Sequence, residues 1–247
     1  MTESAPGKAI ILSHVTKRFR SDPQHVFCAV DDVSFSVESG SLTVIGGANG
    51  SGKSVLMNII SALMKQSSGT VTVCSKPGLV FQDAATQILG ETPREDVMVG
   101  VRNCKIPKKD RAAVTEDALR AVSLLEKADF PAEFLSGGEK RRLAVASILA
   151  MKREIIIFDE PYANLDYPGV KDVNKLITSL HSQGKTILLL THEIEKCLAM
   201  AQHFVILQNG KIVFDGSPED ALSTDLSQWG IKNPLGAYHS LSDLVWL

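Results

Sequence analysis

No charge of one sign dominates this sequence: 26 Lys and Arg stand against 28 Asp and Glu, a formal net charge of −2. A global field that would draw the chain to nucleic acid or to an anionic membrane is thereby excluded, and any partner must be found by a local surface. Long apolar runs are also missing. Ile155-Ile156-Ile157-Phe158 and Ile187-Leu188-Leu189-Leu190 are strand-sized, far below the roughly 20 residues that a membrane-spanning helix needs. The first eight residues, 1–8, lack a positive region followed by an apolar core, so they are expected to be a flexible terminus and not a secretion signal. Cysteine is sparse: Cys28, Cys74, Cys104 and Cys197 are widely separated, lack metal-ligand spacing, and read as small packing residues of a reducing compartment. These absences together predict a cytosolic protein. With 247 residues, 44% of them hydrophobic, it is large enough to bury a full core in one domain, with or without an inserted subdomain.

What the sequence does contain is Gly47-Ala48-Asn49-Gly50-Ser51-Gly52-Lys53-Ser54, a gapless fit to G-x-x-x-x-G-K-[ST]. A β-rich run, 41–45, precedes it, and 55–63 follows with apolar residues at helical spacing. Glycines let the backbone turn tightly and aim N–H groups inward, and the following helix adds the positive end of its dipole where phosphates would sit. Lys53 can bridge the outer phosphates, and the Ser54 hydroxyl can coordinate a magnesium ion that shares them.

Short β-like runs at 9–12, 33–37 and 41–45, with a polar connection at Asp22-Pro23-Gln24, suggest an antiparallel layer. Phe19 lies in this layer, either stacked on an adenine or as part of the core. Two further strands are expected at 69–73 and 78–81; the second ends at Gln82, which either faces a ligand or forms a turn. From 84 to about 132 the β-like runs stop. A helix is expected to start at Thr92-Pro93-Arg94-Glu95 with a capping box, and another over Arg111 to Lys127. Ser136-Gly137-Gly138-Glu139 predicts a further capped helix start, whose free N–H groups offer a second anion site. Ile155 to Phe158 is too uniformly apolar to have a wet face and predicts a central parallel strand ending in two carboxylates, Asp159 for magnesium and Glu160 to polarise an attacking water. A helix at about 169–182 and a strand at 186–191 lead to His192. Gln208-Asn209-Gly210-Lys211 signals a hairpin. The last 30 residues carry Trp229, Tyr238 and Trp246 without a catalytic pattern, which points to packing or an interface.

In this order the motifs resemble the ATP-binding cassette (ABC) ATPases over about residues 9–220. Gly47 to Ser54 resembles the Walker A loop, Gln82 the Q-loop, Leu135-Ser136-Gly137-Gly138-Glu139 the signature, Ile155 to Glu160 the Walker B strand, Asn164-Leu165-Asp166 the D-loop, and His192 the switch histidine. The resemblance implies an α/β P-loop NTPase (RecA-like) core with an antiparallel β subdomain and an inserted α-helical subdomain at about 84–150, followed by a C-terminal extension at 221–247. It implies ATP and Mg2+ as cofactors, with Glu160, His192 and Gln82 catalytic, and with Ser54, Gln82 and Asp159 around the metal. Nucleotide contacts are implied at Phe19, at 47–55 including Val55, and at Ser136, Gly137, Gly138 and Asp166, the signature acting on the γ-phosphate held by a second, identical or paralogous, cassette.

Leu79-Val80-Phe81-Gln82-Asp83 with the stretch 86–97, Thr86 to Val97, and the signature Leu-Ser-Gly-Gly-Glu-Lys-Arg-Arg are similar to the energy-coupling factor importers of vitamins, cobalt and nickel. That likeness implies a peripheral protein on the cytoplasmic face of the membrane, with a groove around 82–97 for a transmembrane scaffold subunit and no nucleic-acid partner. Arg94, Glu95 and Asp96 offer charges to fix an incoming helix there, and Ile88 and Leu89 offer apolar area. Departures from the pattern are Ala48 for the usual proline, Val55 for threonine, a short link from Val73 to Gly78, and Pro93 in place of an aliphatic residue. The rival expectations are the cassette of a conventional ABC transporter, a soluble cassette ATPase acting on ribosomes or DNA, and a monomeric P-loop kinase, which leaves the two signature glycines unexplained.

Overall fold

The computed structural model describes residues 7–20, 26–104 and 106–236; residues 1–6 of the expected flexible terminus, the connection at 22–24, Tyr238 and Trp246 lie outside them. In chain order the strands are β1 (Lys8–Arg20), β2 (Val26–Glu38), β3 (Leu42–Gly46), β4 (Ser68–Val73), β5 (Gly78–Val80), β6 (Ile155–Asp159), β7 (Thr186–Thr191), β8 (His203–Gln208) and β9 (Lys211–Gly216). The α-helices are α1 (Lys53–Ile60), α2 (Pro93–Asn103), α3 (Arg111–Ala121), α4 (Gly137–Ala150), α5 (Tyr167–Ser182) and α6 (Pro218–Leu222).

Two sheets form. The larger has the order β5-β6-β7-β3-β8-β9, parallel except for β9. Its central strands β3, β6 and β7 are buried at every position because both faces are covered, and alternate residues serve opposite cores. Val44, Ile156, Phe158, Leu189 and Phe204 face the core shared with the helical piece. Ile45, Ile155, Ile157, Leu188 and Val205 face α1 and the second sheet. That second sheet is antiparallel, in the order β2-β1-β4. The expectation that residues 41–45 join it is corrected: β3 is buried along its whole length and pairs in parallel with β7 and β8. β1 and β2 run to 13 residues each, well beyond their apolar runs, because bulges absorb the positions that break the alternation. His14 and Asp32 take positive φ and bond each other there, Nδ1 to Oδ1 at 2.8 Å.

The hairpin between β8 and β9 turns through Asn209 (φ 50°) and Gly210 (φ 77°), the two left-handed residues of a type I′ turn. The chain then passes α6 and packs Trp229 on Phe214, centroids 6.0 Å apart, which assigns this aromatic to packing. Among the cysteines Cys197 is buried, Cys28 and Cys104 are half-buried, and Cys74 is exposed, so the packing expectation fails for Cys74. It sits in the short link after β4, where no layer covers it. No helix of the described residues is long and apolar enough to cross a membrane.

In the helical piece α2 starts as expected, with the Thr92 hydroxyl accepting from the Glu95 N–H (3.3 Å), but Glu95 does not close the box. Its carboxylate takes the Glu91 N–H at 3.1 Å. The neighbouring charges are likewise engaged internally, which corrects their reading as docking charges. Arg94 holds Asp129 through Nε (2.7 Å) and Nη2 (3.0 Å) and reaches Glu116 at 3.3 Å. The Asp129 carboxylate raises the guanidinium pKa and is itself held below the usual carboxylate range. Asp96 is buried and accepts from the Leu89 N–H (2.7 Å), the Gly90 N–H (3.3 Å) and the Ser147 hydroxyl (2.8 Å), pinning the segment after Gln82 to α4. Asp96→Ala is expected to cost about 3 kcal/mol through these lost and orphaned groups. At roughly 2–4 °C per kcal/mol for a chain of this size, the midpoint falls by about 6–12 °C. Calorimetry measures it, and an unchanged midpoint would mean that Asp96 pins nothing.

Candidate functional site

The carboxyl ends of β3, β6 and β7 meet at one rim of the parallel sheet, where ligands of open α/β sheets bind. The loop after β3 needs its glycines. A Cβ on Gly47 (φ 149°) would lie 2.3 Å from the Leu207 carbonyl oxygen, and one on Gly52 (φ 108°) would lie 2.4 Å from that of Ala29. Gly52 in the left-handed region opens α1, which has no side-chain cap and no acidic residue in its first turn. The N–H groups at that end are therefore left for an anion. The Ser51 hydroxyl is buried without a partner beside them.

Lys53 is 5% exposed, and its Nζ donates to the carbonyls of Gly47 (2.7 Å) and Ala48 (3.2 Å) while lying 3.5 Å from Glu160 Oε1. The Ser54 hydroxyl lies 3.5 Å from Asp159 Oδ1. Burial, then the neighbouring Glu160, pushes the Asp159 carboxyl above its ordinary pKa, against the pull of Ser54 and Lys53. Glu160 leaves β6 with φ 44° and keeps one more ladder bond, its N–H to the Leu190 carbonyl at 2.8 Å. A non-glycine residue in this region costs about 1–2 kcal/mol, and such strain gathers where side-chain direction matters. The carboxylate is held fast at the end of β7: Oε2 accepts from the Thr191 hydroxyl (3.0 Å) and the His192 N–H (3.3 Å) and lies 3.0 Å from His192 Nδ1. Thr191 carried no motif signal. It ends a uniformly buried strand one residue before His192, and that position is the clue that could have found it.

Gln82 is exposed after β5, and its carbonyl accepts from Arg141 Nη2 at 3.2 Å. Gln82, Asp159 and Gly137 line one cavity of about 550 Å3. Gln87, from the stretch that resembles the importers, clasps the end of β5, its amide donating to the Leu79 carbonyl (2.7 Å) and accepting from the Phe81 N–H (3.2 Å), a contact that the sequence did not signal. At α4 the expected capping box is complete: Ser136 Oγ accepts from the Glu139 N–H, and Glu139 Oε2 accepts from the Ser136 N–H. A Cβ on Gly137 or Gly138 would meet no atom within 4 Å, so nothing within the chain requires glycine at either. Asp166 caps α5, Oδ1 accepting from the Gly169 N–H at 2.9 Å, and lines a second cleft, about 510 Å3, together with Ser136 and Gly138.

The structure thus brings Lys53, Ser54, Asp159, Glu160 and His192 into direct contact. The signature glycines and Asp166 lie in the adjoining clefts. Ala48, Asn49 and Gly50 form the exposed crest of the loop, and Val55 packs toward the core beneath it. Phe19 lies apart, 37% exposed, with Lys17 Nζ 5.1 Å from its ring centroid. Its partner in the β1–β2 register, Phe27, is 65% exposed and escaped notice in the sequence.

The donor set around Ser54 and Asp159 suits Mg2+. Both groups offer hard oxygens, and no cluster of three or more potential His, Cys, Asp or Glu ligands occurs among the described residues. A magnesium ion commonly takes only one or two protein ligands and completes its shell with water and phosphate oxygens.

The ABC transporter family model matches residues 30–163. The energy-coupling factor transporter ATP-binding protein EcfA1 of Fusobacterium nucleatum is 37% identical over 208 residues, covering 78% of each chain. The cobalt import ATP-binding protein CbiO of Rhodobacter capsulatus is 34% identical, covering 84% of this chain and 80% of its own. Among solved structures, CbiO1 from Clostridium perfringens, described as part of the ABC transporter complex CbiONQ, superposes with a TM-score of 0.79 at 26% identity, covering 88% of this chain and 91% of its own. The ATP-binding cassette MJ0796, solved as a dimer in a post-hydrolysis state with ADP and Pi, has a TM-score of 0.74 at 26% identity. A phosphate loop, a carboxylate pair and a signature on one α/β scaffold, in a chain that these cassettes match along most of its length, make this protein a member of the ABC transporter family, an ATP-binding and ATP-hydrolysing cassette.

Proposed function

We propose that this chain is the ATP-hydrolysing subunit of an importer of the energy-coupling factor type, peripheral on the cytoplasmic face of the membrane, for a vitamin or a transition-metal ion. The observation that carries the reading is the pairing of an oriented Glu160 with signature glycines that have open space where a side chain would stand. The names of its relatives favour this importer group over a conventional transporter.

In this reading two cassettes, identical or paralogous, enclose ATP head to tail. The N–H groups at 47–55 and Lys53 hold the phosphates, and Phe19 stacks on the adenine. Lys53 then exchanges its present carbonyl partners for phosphate oxygens, a stronger charge-assisted contact. Ser54, Asp159 and Gln82 would hold a magnesium ion, which would supply charge neutralisation on the phosphates. Glu160 accepts a proton from the attacking water, and His192 and Thr191 keep its carboxylate aimed. Ser136, Gly137, Gly138 and Asp166 complete the site of the other cassette.

The scaffold subunit docks on a groove of about 560 Å3 lined by Ala85, Ile88, Gly90, Pro131 and Ala132 among others. Adjacent in sequence to its walls, Leu89 and Phe134 are 76% and 70% exposed, and Phe134 stacks edge-on with Phe130. Exposed apolar residues beside a groove mark interaction sites. A Leu89→Asp and Phe134→Asp double variant, co-expressed with its membrane subunits, tests the reading. Co-purification should drop at least 10-fold while ATP binding by the isolated cassette stays within twofold. Undiminished co-purification would place the scaffold elsewhere.

A further inference from the structure

Arg141, on the first turns of α4, is 4% exposed, yet only one of its nitrogens has a partner. Nη2 donates to the Gln82 carbonyl at 3.2 Å, and Nε and Nη1 are buried without an acceptor. Buried donors of a charged group are rarely left unmet, because the group has given up its water without replacement. Burial accordingly pushes this guanidinium below its ordinary pKa, with the Asp83 carboxylate pulling it back. The space beside it is open. Arg141 lines both the 550 Å3 and the 510 Å3 cavities, and Asn164 and Leu165 line both with it. In that loop the N–H groups of Ala163 and Leu165 already bond the carbonyls of Glu160 and Tyr162, at 3.2 Å each, so carbonyl oxygens are what the loop can offer. Asn164 holds φ 58°, in the left-handed region that asparagine tolerates better than most residues.

We propose that Arg141 is a positioning residue that joins the main chain at Gln82 to the loop 163–165, its two unmet nitrogens taking carbonyl oxygens of that loop when ATP is bound. A guanidinium suits this task because its planar fork can hold two segments at once, whereas an ammonium is a single point donor. One side chain of the signature helix then reports the γ-phosphate end of the site to the residues just before Asp166. The inference rests on the proposed site, in which Gln82 helps to hold magnesium at the phosphates.

The test uses the full chain with Arg141→Met, which keeps bulk and removes the donors, and Arg141→Lys, which keeps a charge and a donor for Gln82 but loses the fork. Arg141→Met should lower kcat at least 10-fold with the KM for ATP within twofold, and without a lower thermal midpoint, since it removes unmet donors. Arg141→Lys should lower kcat at least threefold. Hydrogen exchange supplies a readout that a merely structural residue would not move. ATP should slow the amides of both 47–54 and 163–166 in the parent protein, but only those of 47–54 in either variant. Equal ATP protection of 163–166 in parent and variants, or kcat within twofold of the parent, would overturn the inference and leave the site reading standing. Absence of protection at 47–54 in the parent itself would overturn both. Should Arg141→Met fail to fold, Arg141→Lys carries both readouts.

Discussion

Glu160→Gln should keep ATP bound while turnover falls by a factor on the order of 100 or more, the usual worth of a positioned general base. The amide preserves the shape of the carboxylate and can still accept from the Thr191 hydroxyl and the His192 N–H, so the strained exit from β6 is retained. What it cannot do is take a proton from water. The variant also relieves the repulsion between the two buried carboxylates, because Glu160 is one cause of the raised Asp159 pKa. Asp159 should then ionise more readily, and nucleotide with magnesium should bind no worse than to the parent. A phosphate-release assay at saturating ATP measures the loss. Hydrolysis within a few-fold of the parent would remove Glu160 from the role of base.

Lys53→Ala and Gly137→Asp should both abolish steady hydrolysis, but for different reasons. Lys53 acts on the nucleotide of its own chain, and losing a charge-assisted contact to phosphate should weaken ATP binding by about 2 kcal/mol, roughly 30-fold. Gly137 has no atom within 4 Å of its would-be Cβ and lies at the exposed start of α4, so the fold should accept aspartate there. Its carboxylate would meet the phosphate held by the other cassette. ATP affinity of the single chain should therefore stay within about twofold. Equilibrium binding to the isolated chain separates the cases, and equal weakening in both variants would argue against a signature that serves a neighbour.

How much of this could be read from the residues depended on whether the signal was local. The phosphate loop, the capped start of α4 and the buried strands before Asp159 and His192 are contiguous patterns, each forced by backbone geometry or by burial on both faces. The place of β3 was misjudged because five apolar residues look alike in either sheet, and only pairing with β7 and β8 decides. Arg94 and Asp96 were read as free charges because their partners, Asp129 and Ser147, lie 35 and 51 residues away. The contacts of Thr191 and Arg141, 31 and 59 residues from their partners, escaped for the same reason, and those of Gln87 escaped although its partners are only 6 and 8 residues away. Each acts through a contact whose other half is main chain or a carboxylate, which carries no pattern of its own in the sequence.

The most direct test of a hydrolytic site shared between two cassettes is the mass of Glu160→Gln in solution, measured by size exclusion with light scattering. It should run at the monomer mass of 26.7 kDa without nucleotide and at twice that mass with ATP and magnesium, and return to the monomer with ADP. A protein that binds ATP with magnesium at saturation and still runs as a monomer would contradict the account.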